Sequence, residues 1–270
     1  MEIQWSLVLF TAIAGTGSWL LGCACIDEFK GMAKKTTSLA AIIAIVLLIA
    51  GGIVSATHLS HVDRIFGVLA HPAPGIFLEA LLLGIDALIG LILVLLWKRD
   101  ASAGARKAFA ALGVIMAPVF SFSCGFSYMM SSQLAWNNIG LPLGYLGTAA
   151  AAGCALWALL CAYRGEAEEA LVFAGWETVL GGALAVVFAL VFGMVSGVSA
   201  GAQAPLFWGA VVLVGGVAPL ACGVAITRKP ASALAFAGLA LACGCVGAIA
   251  FRCLMWLGSD ALMALFGVTL

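Results

Sequence analysis

Eight apolar runs, each long enough for a helix to cross a lipid bilayer, decide what this chain can fold into. They fall at roughly 6–25, 38–57, 75–97, 108–130, 142–163, 171–198, 206–226 and 232–257. About 20 apolar residues in helical conformation span the hydrocarbon layer. Of the 270 residues, 64% are hydrophobic and 9% charged, whereas soluble domains carry roughly 25% charged residues. A globular core has no room for that much apolar surface, and lipid has. The expected fold is an all-α integral membrane protein, with residues 1–270 forming a single bundle of eight transmembrane helices.

Several classes drop out. The formal net charge is zero, so nothing draws the chain to nucleic acid. The first residues, Met1 to Trp5, lack a basic region and include Glu2, so the first apolar run is expected to stay in the mature protein. The nine cysteines lie in or beside apolar runs. Cys23-Ala24-Cys25 and Cys243-Gly244-Cys245 lack zinc-site spacing, so the cysteines read as small polarizable packing residues and no metal is expected. A haem anchor needs paired axial histidines on facing helices. All three histidines here sit between runs two and three, so haem is not expected either.

Loop charge gives an orientation. Lys30, Lys34, Lys35, Lys98, Arg99, Arg106, Lys107, Arg164, Arg228 and Lys229 fall in alternate loops, which puts ten of the twelve Lys and Arg on one face. By the positive-inside rule that face is cytoplasmic and both termini point outward. Glycine pairs at Gly51-Gly52, Gly181-Gly182 and Gly215-Gly216 mark expected helix contacts, since small residues let membrane helices approach closely.

Polar residues gather at the outward end of runs two and three. The loop carries His58, His61, Asp63, Arg64, Phe66 and His71, followed by Glu79 and Asp86 on the third run. Glu79 and Asp86 are seven residues apart, which places them on one helix face roughly 10 Å apart along the axis. A carboxyl inside a membrane helix is costly and points to function, although a structural hydrogen bond explains Asp86 and a helix-start charge explains Glu79 equally well. Glu177, near the cytoplasmic end of run six, is expected to snorkel to water. Arg252, deep in run eight, calls for a partner, with Glu79, Asp86 and Asp63 as candidates. Histidine, arginine and carboxylate at a membrane interface suit a quinone head group: imidazole accepts the quinol hydroxyl's proton and a carboxylate passes it to water. A transporter gate could use the same residues.

The stretch Ser55-Ala56-Thr57-His58-Leu59-Ser60 through Arg64-Ile65-Phe66 resembles the signature of the DMSO reductase membrane anchor family, DmsC. Glu79 matches the family's glutamate at the start of helix three. Arg252, Trp256 and Gly258 resemble its C-terminal pattern, and Tyr128 to Trp136 with Leu141-Pro142-Leu143-Gly144 is similar to its loop between helices four and five. Ser60 stands where the family usually has glycine, His61 is extra, and Ala248 replaces a family glutamate.

The resemblance implies a menaquinol-oxidising anchor in the bacterial cytoplasmic membrane. Its partners would be a ferredoxin-like iron–sulfur subunit with four clusters and a molybdopterin catalytic subunit reducing DMSO or a similar acceptor. His58 becomes the quinol ligand and proton acceptor, with Glu79 as its catalytic partner. Arg64 becomes a site-shaping or docking charge; the residues themselves add Phe66 and Arg252 as quinol-lining candidates, Asp63 and Asp86 as candidate proton relays, and His61, Trp136 and Asn137, with Asn138, as candidate partner contacts. A polysulfide-reductase-like proton-coupled subunit and a small transporter are the competing readings. The transporter would favour repeated halves, and no repeat is visible in the sequence. The orientation predicts that a cysteine placed at Lys34 is labelled by a membrane-impermeant maleimide only from the cytoplasmic side of sealed vesicles; labelling from outside would invert the topology.

Overall fold

The computed structural model describes residues 2–57 and 74–258. Among them, eight helices are long and apolar enough to cross a membrane, and there is no strand. Helix α1 is Trp5–Lys30, α2 Thr37–Ala56, α3 Pro74–Lys98 and α4 Ala103–Phe126. Next come α5, Gly140–Tyr163, and α6, Glu168–Ser196; α7 spans Leu206–Arg228 and α8 is Ala233–Leu257. Each apolar run is therefore one helix, and the chain is a multi-pass membrane protein. The first twelve residues of α7, Leu206–Val217, form a wider π-type helix. The chain returns to α geometry at Ala218, where Pro219, which has no N–H to donate, takes one of the first positions.

Short connections make the helices run alternately up and down. One end of the bundle holds the ten loop cations and is called the basic end below. Packing divides the bundle into two rings. α1 packs on α2 and α4, with α3 closing the circle; α5 packs on α6 and α8, with α7 closing the second. α1 and α5 join the rings. The central stretch of α1 is 78% buried and that of α5 72%, against 28% for α2 and α3. Those two outer helices turn Val46, Ile49, Ile53, Leu88 and Leu91 outward.

Small residues make the central join possible. α5 reads Gly147-Thr148-Ala149-Ala150-Ala151-Ala152-Gly153, small on every side. A Cβ on Gly153 would lie 2.3 Å from the Trp19 Cβ of α1, and one on Gly181 would lie 2.7 Å from the Ala150 carbonyl oxygen of α5. At Gly215 it would meet Gly247 Cα at 2.4 Å. Gly51, Gly181 and Gly215 are therefore contact points, as their pairing in the sequence suggested. Dispersion at such close approach replaces the hydrophobic drive that lipid cannot supply.

Three carboxylates fasten the basic end. Asp27 accepts from the Met32 and Ala33 backbone N–H groups at 3.1 and 2.9 Å and from the Thr37 hydroxyl at 2.7 Å, closing the α1–α2 turn. Glu28 accepts from Trp97 Nε1 at 2.6 Å and Arg106 Nε at 2.9 Å, tying α1 to α3 and α4. Glu166 accepts from Lys35 N and the Thr36 hydroxyl at 2.8 and 2.7 Å, holding the two basic-end turns together across the rings. These partners explain why α1 continues through Lys30 instead of ending near residue 25. Gly181→Leu is expected to destabilise the detergent-solubilised protein by about 1–3 kcal/mol through overpacking. Gly84→Leu, where an added Cβ meets nothing within 4 Å, should leave thermal unfolding nearly unchanged.

Candidate functional site

The end of the bundle opposite the basic residues carries Glu79 and a cluster of aromatic rings. His58, His61, Asp63, Arg64 and Phe66 lie outside the described residues. The described chain leaves off at Thr57, just past α2, and resumes with α3 at Pro74, little more than one turn before Glu79. Glu79 is buried at 7% exposure, and its Oε1 has no hydrogen-bond partner. Ser127, just past α4, is its polar neighbour. Two turns deeper on α3, Asp86 is fully buried and faces Ser18 of α1. Neither Asp86 oxygen nor the Ser18 hydroxyl completes a hydrogen bond.

Around Glu79 the bundle assembles an aromatic wall that pattern reasoning on single helices did not bring together. Tyr128 stacks on Tyr145 at 5.8 Å between centroids. Trp136 and Trp256 meet edge to face at 5.1 Å, and Tyr128 touches both at 6.3 Å. Glu79, Cys124 and Arg252 all lie within electrostatic reach of the two tyrosines. Tyr128 sits outside the spans; desolvation first, then the charges of Tyr145 and Glu79, push its phenol well above the ordinary value. It therefore keeps its proton and stays a hydrogen-bond donor. One signal was available: the chain has only three tyrosines, and two of them are here.

Arg252 departs from expectation. Its guanidinium is buried at 1% exposure and bonds no carboxylate among the described residues, outside which the third expected partner, Asp63, lies. Nε donates to the Thr11 hydroxyl at 2.6 Å, Nη2 to the Thr11 carbonyl at 3.0 Å, and Nη1 to the Thr148 hydroxyl at 3.3 Å and the Ala248 carbonyl at 2.8 Å. The group lies over the Tyr145 ring, 4.4 Å from its centroid. The expected ion pair with Glu79 or Asp86 is not formed. Threonines at the α1–α5–α8 join are closer, and in hydrocarbon a mid-helix hydroxyl or carbonyl is a ready acceptor. Thr11 and Thr148 were visible as polar residues inside apolar runs.

Two further expectations are corrected. Trp136 is 2% exposed, with its indole N–H on the Met255 carbonyl at 2.9 Å. It fastens the α4–α5 loop to the end of α8 and offers no surface in this chain, and Asn138 is also buried. Asn137 is exposed and remains available. Glu177 does not snorkel: it is 6% exposed and points into the α5–α6 side of the bundle beside Trp157 and Cys23. Glycines on α6 and small residues on α5 bring the helices too close for a side chain on that face to reach water.

The chain matches the DMSO reductase anchor subunit (DmsC) family over residues 1–256. No curated protein matches the chain significantly. The Arg252 network makes one quantitative expectation. Thr11→Val keeps shape but removes the acceptor of the guanidinium Nε–H, and should cost about 1.5–3 kcal/mol, the range for hydrogen bonds to charged groups. Unfolding of the solubilised protein measures it, and a change under about 0.5 kcal/mol, the spread of ordinary surface substitutions, would mean the network is dispensable.

Proposed function

Since the chain belongs to the DMSO reductase anchor subunit family, we propose that it is the quinol-oxidising subunit of a molybdopterin reductase in the bacterial cytoplasmic membrane, with its basic end in the cytoplasm. The substrate is menaquinol, which gives up two electrons and two protons as it becomes menaquinone. The electrons pass to a ferredoxin-like iron–sulfur subunit with four clusters and on to a molybdopterin subunit that reduces DMSO or a similar oxide.

One observation carries this reading: Glu79 is buried at the end of the bundle opposite the basic loops, with an acceptor oxygen that no donor among the described residues uses. A quinol hydroxyl is a donor of the kind such an oxygen lacks. His58 accepts one quinol hydroxyl and its proton, and Glu79 takes the other or carries protons away. Asp63 and Asp86 extend the relay. Arg64 and Phe66 shape the pocket around the ring. Arg252, a fixed positive charge with no bonded carboxylate among the described residues, favours the transition state in which the quinol oxygen gains negative charge. Its bonds to Thr11 and Thr148 hold that charge still.

His61 and Asn137 meet the iron–sulfur partner, with Trp136 supporting the Asn137 loop from beneath. Quinol protons leave on the side where the reductase consumes protons, so the cycle moves no net charge. His58→Ala and Glu79→Gln should each lower menaquinol-driven turnover of the assembled complex by about 10²-fold or more, the lower range of general acid–base contributions. Dye-driven reduction by the catalytic subunit should be unchanged, and the iron–sulfur partner should still co-purify. Unchanged menaquinol turnover in both variants would move the site elsewhere.

A further inference from the structure

A second buried polar cluster lies toward the basic end, at the meeting of α1, α5 and α6 and away from the Glu79 site. Cys23 of α1 and Cys154 of α5 point at each other, the Cys23 thiol donating to the Cys154 sulfur across 3.7 Å. Both are free thiols, and both are at most 2% exposed. Glu177 of α6 stands beside Cys23 and the Trp157 indole, and neither of its carboxylate oxygens has a hydrogen-bond partner. Packing alone explains two cysteines at a helix contact. It does not explain an unsatisfied carboxyl held against one of them, since a buried polar group without a partner is costly.

We propose that Cys23, Cys154 and Glu177 form a redox-active dithiol, which a hydroperoxide converts into a disulfide between α1 and α5. Each side chain has a definite task. As the Cys23 sulfur attacks, its proton passes to Glu177, so the thiolate character that makes sulfur a nucleophile develops during the attack itself. The sulfur attacks the outer peroxide oxygen: an S–O bond forms, the O–O bond breaks, and the departing alkoxide takes the proton from Glu177 and leaves as an alcohol. Cys23 is now a sulfenic acid. The Cys154 sulfur then attacks the Cys23 sulfur, forming S–S and breaking S–O, and its proton leaves with the hydroxide as water. Two thiols and one hydroperoxide give one disulfide, one alcohol and one water; the thiol sulfurs lose two electrons and the peroxide gains them.

The oxidant class follows from the site's location. Both thiols lie inside the spans and are at most 2% exposed, so the oxidant class is an uncharged hydroperoxide that partitions into the bilayer. Closure brings the sulfurs from 3.7 Å to a bond of about 2.05 Å. The bond fastens the two four-helix rings to each other at their join.

The test uses the purified full-length chain in nanodiscs, treated with cumene hydroperoxide, then alkylated, digested and analysed by mass spectrometry. A linked peptide pair containing Cys23 and Cys154 is expected, with the intact mass lower by two hydrogens. Cys154→Ser should leave Cys23 as a sulfenic acid trappable by dimedone. Glu177→Gln should slow linkage at least about tenfold, a modest general-base effect, and Cys161→Ser should not change it. If a variant does not fold, the wild-type linkage decides. Thiols that alkylate equally before and after the peroxide, or linkage that joins other cysteines, would overturn the proposal, as would an unchanged rate in Glu177→Gln.

Discussion

The guanidinium of Arg252 is fully enclosed where α1, α5 and α8 meet, and its four hydrogen bonds go to two threonine hydroxyls and two backbone carbonyls. A charge in hydrocarbon must be satisfied by protein, because neither water nor lipid can do it. That requirement fixes the rotation of three helices at once. It also explains the small residues of α5: Thr148 reaches the guanidinium only because Ala149 lets α1 come close and Gly144 lets α8 do so. The join between the rings and the position of the aromatic wall both follow from it. Tyr145, which carries the cation on its face, stacks on Tyr128.

The buried and half-buried carboxyls fall into two groups with different physical meanings. Asp27, Glu28 and Glu166 at the basic end have donors in place and tie turns and helices together. Glu79, Asp86 and Glu177, inside the spans, keep oxygens without donors. Natural structures leave few such groups unpaired, and those few call for an explanation. In the proposed reading the explanation at Glu79 is a donor substrate, and at Glu177 it is the proposed exchange with a neighbouring thiol. Asp86 and Ser18, two unsatisfied groups facing each other, are the continuation of the Glu79 face into the bundle.

Much of the architecture was legible because each span is a long apolar run and each connection is short. The glycine contacts at Gly51, Gly181 and Gly215 were legible too, since small residues in a membrane helix have few other uses. The face shared by Glu79 and Asp86 followed from helical spacing. What sequence could not supply was anything set by which helix neighbours which. Arg252 was assigned a carboxylate partner because charge seeks charge, whereas proximity gave it threonines. Trp136 read as a loop aromatic open to a partner, yet it turns under its loop to bond the end of α8. Glu177 looked near enough to an interface to reach water until α5 covered it. The two rings left no trace in the sequence, because their packing depends on where small residues fall and not on their order.

The central claim is that a quinol donates to Glu79 at the end opposite the basic loops. Binding of a fluorescent hydroxyquinoline N-oxide quinol analogue, followed by quenching in membranes with the assembled complex, tests it directly. The account predicts stoichiometric binding in wild type and in Glu177→Gln, and loss of binding in Glu79→Gln. Binding that survives Glu79→Gln and fails in Glu177→Gln would contradict it and place the quinol at the other end of the bundle.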